Sequence, residues 1–176
     1  MKRTVWLLVG IIVVSNCLWL YLFMNEDKPA VTANSNASLY LLHGTGEMWD
    51  VNDYKIMIAG DKILRGHASL NYKGDPEQLR QSTFFEYKIY EVNSRGEKEV
   101  VYANEFRSNN AEVSILDNVQ DIGSLTGAYS YEELEKDKSN YETTSLELTW
   151  QDNEGKLHTE IIDLEIDREI HITADE

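Results

Sequence analysis

Four histidines, His43, His67, His158 and His171, are the side chains of this sequence best suited to acid–base or metal chemistry near neutral pH. No two of them stand two, three or four residues apart, so no helix or strand face presents a ligand pair, and no His-Glu-x-x-His run occurs. His67 and His158 fall on the outward phase of alternating segments, where the expectation is a solvated cross-strand neighbour. A nucleophile needs an activating base, and no Gly-x-Ser-x-Gly, Ser-x-x-Lys or Cys-His arrangement is present. The lone Cys17 excludes both a disulfide framework and a Cys-based zinc site. In His43-Gly44-Thr45-Gly46-Glu47 the glycine pair lacks the third glycine and the following helix of a phosphate cradle, and reads as a flexible lead-in to a strand.

Carboxylates gather at Asp152 and Glu154, in a hairpin turn with Asn153, and at Glu132, Glu133, Glu135 and Asp137. Neither stretch has the register of an EF-hand loop, so both read as solvated acidic surface. Of the aromatics, Trp49, Trp150, Tyr54, Tyr72 and Tyr87 lie on apolar phases and are expected to pack. Tyr129 and Tyr131 stand in a polar insertion instead. With their acidic neighbours they give the candidate partner-binding set Tyr129, Tyr131, Glu132 and Glu133. No catalytic, cofactor-binding or metal-ligating residue is expected, and the chain is not read as an enzyme.

The elements that must carry these residues follow a period of two from Glu47 onward. Trp49 and Val51, then Tyr54, Ile56 and Ile58, alternate with a phase slip at Asn52-Asp53, as at a bulge. Gly60-Asp61 turns the chain into a strand in which Leu64, Gly66, Ala68, Leu70 and Tyr72 oppose Arg65, His67, Ser69, Asn71 and Lys73. After Gly74-Asp75-Pro76, Glu77 to Ser82 suits a helical turn. Strands follow at Thr83 to Val92, Val100 to Phe106 and Glu112 to Leu116. Gly123 to Asn140 reads as a loop excursion with one or two helical turns at Tyr131 to Lys138. Leu146 to Trp150 and Leu157 to Ile166 form a closing hairpin, after which the tail through Ile170 and Ile172 either continues the strand or frays. Seven short strands without long helices between them predict an antiparallel immunoglobulin-like β-sandwich over residues 39–176, with a small β-barrel as the alternative.

Ahead of that domain, Val5 to Met24 is a run of 20 uncharged residues, about 30 Å as a helix and enough for one bilayer crossing. Lys2 and Arg3 precede it and Glu26 and Asp27 follow, so residues 1–4 are expected in the cytoplasm and the domain outside, with 25–38 a flexible tether. Cleavage after Val31-Thr32-Ala33, releasing a secreted domain, is the alternative. Cys17 follows Asn16 and precedes more apolar residues, which departs from a lipoprotein signal. Asn16, mid-span, is either a tolerated amide or a contact between membrane helices. The chain carries 16 Lys+Arg against 31 Asp+Glu, a formal net charge of -15, and residues 29–176 alone hold 13 against 29. That field excludes electrostatic binding to nucleic acid.

Gly44-Thr45-Gly46-Glu47-Met48-Trp49-Asp50-Val51, Leu70-Asn71-Tyr72-Lys73-Gly74 and Leu146-Glu147-Leu148-Thr149-Trp150 together resemble small exported envelope proteins of Bacillus and related Firmicutes. The resemblance implies a signal-anchored or lipidated β-rich domain and carries no site residue across. The expectation is a membrane-anchored, extracytoplasmic, non-catalytic binding module that contacts another exported protein. The alternatives are a binder of wall glycan or calcium and, third, a small wall-modifying enzyme.

Overall fold

A computed structural model describes residues 12, 14–16, 18, 37–108, 115–128 and 131–172, the side chains of 131 and 132 excepted. The chain divides into two compact units, residues 1–34 and 35–176. In the first, residues 12, 14–16 and 18 are helical, and the Asn16 side-chain amide donates to the Ile12 carbonyl at 2.8 Å, a partner within its own helix. Most of the apolar run Val5 to Met24 lies outside the described residues, and among those described no helix is long and apolar enough to cross a membrane.

The second unit is all-β. Its strands are β1 (Ala37–Thr45), β2 (Trp49–Ala59), β3 (Lys62–Tyr72), β4 (Phe84–Val92), β5 (Lys98–Arg107), β6 (Ile122–Ala128), β7 (Ser145–Gln151), β8 (Leu157–Asp163) and β9 (Glu165–Ile172). A 3-10 turn at Pro76–Leu79 and the short helices α1 (Tyr131–Leu134) and α2 (Lys138–Tyr141) punctuate them. All pairings are antiparallel, in a five-stranded sheet ordered β6-β3-β2-β1-β9 and a four-stranded sheet ordered β5-β4-β7-β8. Among the described residues each sheet keeps two open edges and neither closes on itself, so the barrel alternative is overturned. One core joins the inner faces: Trp49 of β2 meets Phe85 of β4 at 6.1 Å and Trp150 of β7 at 5.9 Å between ring centroids.

Four local readings change. The lead-in His43–Thr45 is the end of β1, and its glycines serve close approach. A Cβ on Gly44 would stand 2.6 Å from the Asp163 carbonyl oxygen and 2.6 Å from Leu164 Cδ2. In β3 the phase slips at Gly66 (φ 128°) and His67 (φ 58°), so Ile63 and Arg65 point inward while Leu64 faces out. The expected continuous strand Leu157 to Ile166 breaks at buried Leu164, whose amide donates to the Thr144 carbonyl. There the chain leaves the four-stranded sheet, and β9 joins β1 in the other. The insertion begins with an edge strand, β6, while the expected strand Glu112 to Leu116 falls largely outside the described residues, with Ile115 and Leu116 in a turn. The bulge read at Asn52-Asp53 is present: Asp53 has φ 56°, and the β1–β2 register shifts opposite it between Leu42 and Gly44.

Candidate functional site

At one end of the sheets a groove of about 700 Å3 is lined by Met48, Tyr72, Trp150 and His158 and by the carboxylates of Glu47, Glu77, Asp152, Glu154 and Glu160. The sequence builds it from a hairpin. Gly155, at φ 82°, closes the turn between β7 and β8, and Asp152 stabilises that turn by accepting from the Glu154 and Lys156 amides at 2.9 Å each. Its second oxygen, Oδ2, lies 2.7 Å from His158 Nε2. The β7–β8 register sets His158 directly opposite Trp150 on the same face, and the rings stack at 5.3 Å and 18°. His158 is therefore a half-buried member of the groove rather than the outward neighbour expected. The bond from His158 holds the Asp152 carboxyl below the usual carboxylate range, with the two turn amides acting in the same direction.

The walls are tied down as firmly. Asn153 Oδ1 accepts from the Gln81 amide at 2.7 Å, Asn153 Nδ2 donates to the Glu77 carbonyl, and the Asn153 amide donates to the Gln78 carbonyl at 2.9 Å, which stitches the hairpin to the 3-10 turn. Glu160 accepts from the amides of Glu47 and Met48, fixing the β1–β2 corner. Behind the groove Trp49 packs on Tyr72 at 4.8 Å. Burial pushes the Tyr72 hydroxyl above its ordinary range, with the charges of Asp152 and Asp75 adding to the effect. Among the described residues the lining groups include five carboxylates and no lysine or arginine, so the groove suits a ligand rich in positive charge or hydrogen-bond donors. His158 and Asp152 form a hydrogen-bonded couple. The two hydroxyls in the lining, Tyr72 and Thr159, make no hydrogen bond to His158 among the described residues, and Thr159 pairs with Thr149 at 3.2 Å.

A second cluster lies inside the fold. Arg65 of β3 holds Glu91 of β4 through two bonds, Nε–Oε1 at 2.6 Å and Nη2–Oε2 at 2.8 Å, and reaches Glu133 of α1 at 2.7 Å. Lys136 Nζ lies 3.1 Å from Glu91 and 3.3 Å from Glu133, and 3.6 Å from the more exposed Glu99. Glu91 is fully buried and Arg65 and Lys136 nearly so. Burial alone would lower Arg65, but its bonds to Glu91 and Glu133 win and raise it. Tyr54 is raised mainly by burial and then by the Glu91 charge. This cluster pins α1 across both sheets. The sequence carried a signal for it, because Glu91 continues the inward phase of Phe85, Tyr87 and Ile89.

Of the residues singled out by sequence, Glu133 sits in that cluster, Tyr131 and Glu132 form the first turn of α1, and Tyr129 lies outside the described residues. The other histidines are apart from one another: His67 bonds Asp121 at 3.0 Å, His171 bonds Glu169 at 3.1 Å, and His43 is exposed. Among the described residues no group of three or more His, Cys, Asp or Glu side chains is arranged to hold a metal ion. No family model, no curated protein and no solved structure matches this chain.

Proposed function

We propose that the chain is a membrane-anchored envelope protein whose extracytoplasmic domain, an immunoglobulin-like β-sandwich in size and layering, is a non-catalytic module that binds another exported protein. Three hairpin strands in succession within one sheet set its connectivity apart from the immunoglobulin order. The observation that carries the binding reading is the groove, where Asp152, Asn153 and Glu160 are each fixed by backbone partners around the Trp150–His158 stack. A surface held this rigidly loses little entropy on complex formation. Its negative charge selects a partner segment carrying lysine, arginine or an amino terminus. The anchor rests on the 20-residue uncharged run and the Lys2-Arg3 flank. A photo-cross-linking residue in place of Tyr72, in the cells that make the protein, is expected to give one discrete protein adduct that is lost in His158→Ala. Absence of any adduct overturns the reading.

The second reading is a binder of wall glycan. It is favoured by the same groove, where the aromatic faces of Tyr72 and His158 stand beside the amides of Gln78 and Asn153. A rise in melting temperature with soluble wall fragments, abolished by Tyr72→Ala, would favour it over a protein partner.

A further inference from the structure

At one end of the outer face of the five-stranded sheet, three cross-strand rows are free of carboxylates, whereas Glu165 and Asp50 stand further along the same face. The register places Ile170, Leu39, Met57, Leu64 and Thr126 in one cross-strand row. On one side of it lies the row Ile172, Ala37, Ala59, Lys62 and Ala128, and on the other the row Arg168, Leu41, Lys55, Gly66 and Ser124. Strand alternation points all three rows away from the core, whose facing residues are Tyr40, Ile56 and Ile63. Leu39, Leu41, Met57, Leu64 and Ile170 are half-buried on this face and Ile172 is exposed. The fifteen paired positions contain no Asp or Glu, in a chain that has 31.

The cations are distributed unevenly as well. Of the 13 Lys and Arg beyond residue 28, only Lys55, Lys62, Lys98, Lys156 and Arg168 have no carboxylate partner among the described residues. Three of those five stand in these rows, where Lys62 and Arg168 are exposed and Lys55 reaches only the His67 carbonyl, at 3.3 Å. An apolar surface with unpaired cations among its rows is the composition that settles on anionic headgroups. The occupant is further fixed by the chain itself. β1 starts at Ala37, in the outermost row, and only residues 25–36 separate it from the end of the uncharged run at Met24, a tether of at most about 40 Å. The remaining surface of a domain carrying a net -16 is repelled by such a membrane.

We infer that this face, with Lys55, Lys62 and Arg168 toward lipid phosphates, lies against the outer leaflet; the inference rests on the anchored reading above. The test uses the full chain with Cys17→Ser, reconstituted in vesicles of phosphatidylglycerol and phosphatidylethanolamine. One environment-sensitive dye is attached at Ala59→Cys on this face, and in a second sample at Ile161→Cys, an exposed position on the outer face of the four-stranded sheet. Lipids carrying a headgroup quencher are expected to quench the dye at position 59 and leave that at 161 bright. Combined Lys55→Glu, Lys62→Glu and Arg168→Glu should abolish the quenching at 59 while the domain still unfolds cooperatively, because none of the three has a carboxylate partner to lose and only Lys55 gives up a bond, to the His67 carbonyl. A chain retained by the vesicles after alkaline carbonate, yet quenched equally or not at all at the two positions, overturns this inference alone. So does a triple variant quenched like the parent. Extraction by carbonate overturns the anchored reading and this one with it. Quenching at 59 that appears only at high protein density in the vesicles assigns the face to a second copy of the chain instead.

Discussion

Replacing Glu91 by leucine is the substitution that the fold should tolerate least for its size. Glu91 is fully buried and lies between two cations, 2.6 Å from Arg65 and 3.1 Å from Lys136. Without it, buried Arg65 keeps only Glu133, which it shares with Lys136, while Lys136 also has the more exposed Glu99 at 3.6 Å, so Arg65 is the charge left short of a partner. Breaking a buried pair from one side costs about 3–5 kcal/mol. At about 2–4 °C per kcal/mol for a chain of this length, the melting temperature should fall by roughly 6–20 °C. Arg65→Met should cost a similar amount, because fully buried Glu91 loses both of its Arg65 bonds and keeps only Lys136, 3.1 Å away. The double variant leaves Lys136 beside Glu133 at 3.3 Å and the more exposed Glu99 at 3.6 Å, with no fully buried charge stranded, so its loss should fall short of the sum of the single losses by about 2 kcal/mol. Urea unfolding followed by the fluorescence of buried Trp49 and Trp150 measures all three variants. Single losses below about 1 kcal/mol, the value of a solvated pair, or strict additivity in the double variant, would refute the reasoning.

Three further outcomes follow from the same geometry. Gly44→Ala puts a methyl group against the Asp163 carbonyl and Leu164, at 2.6 Å each, and should destabilise by about 1–3 kcal/mol as overpacking; Gly127→Ala, where a Cβ meets open space, should fall within about 0.5 kcal/mol of the parent in the same urea assay. Asp152, Glu97, Asp137 and Glu169 are held low chiefly by bonds from His158, Asn93, Ser139 and Lys138 respectively; their stabilisation is complete above the unfolded carboxylate values near pH 4 and is lost as pH falls through the lower folded ones, so stability should drop on the acid side and Asp152→Asn should flatten that slope. His158→Ala should remove the stack on Trp150 and return the Asp152 carboxyl toward its ordinary range, read by carboxyl carbon NMR titration.

The alternation in β2, β4 and β7 was legible because each buries one face and solvates the other, and even the bulge at Asn52-Asp53 left its mark as a phase slip. β6 left none: between Ile122 and Ala128 an edge strand of small residues has no pattern to show. The break at Leu164 was invisible for the opposite reason, since Ile162, Leu164 and Ile166 keep their alternation while the chain changes sheets. Gly44 and Gly46 looked like flexibility because a need for close approach and a need for freedom leave the same residue. Gly46, too, lies where a Cβ would meet Glu160 and Ile162. The groove was only half legible. The turn at Asp152-Asn153-Glu154-Gly155 could be placed, but His158 was assigned to the wrong face, because the partner that sets its direction is Trp150 across the hairpin and not its neighbours along the strand. Arg65 and Lys136 were hidden because charge predicts exposure until the buried Glu91 and the half-buried Glu133 are known to await them.

The measurement that bears most directly on the binding reading is photo-cross-linking from position 72 in the native cells, run beside an Asp152→Ala, His158→Ala variant that removes the floor couple of the groove. A single exported protein captured at position 72 and lost in the variant is the predicted result. No adduct, or an adduct that persists unchanged in the variant, contradicts the account.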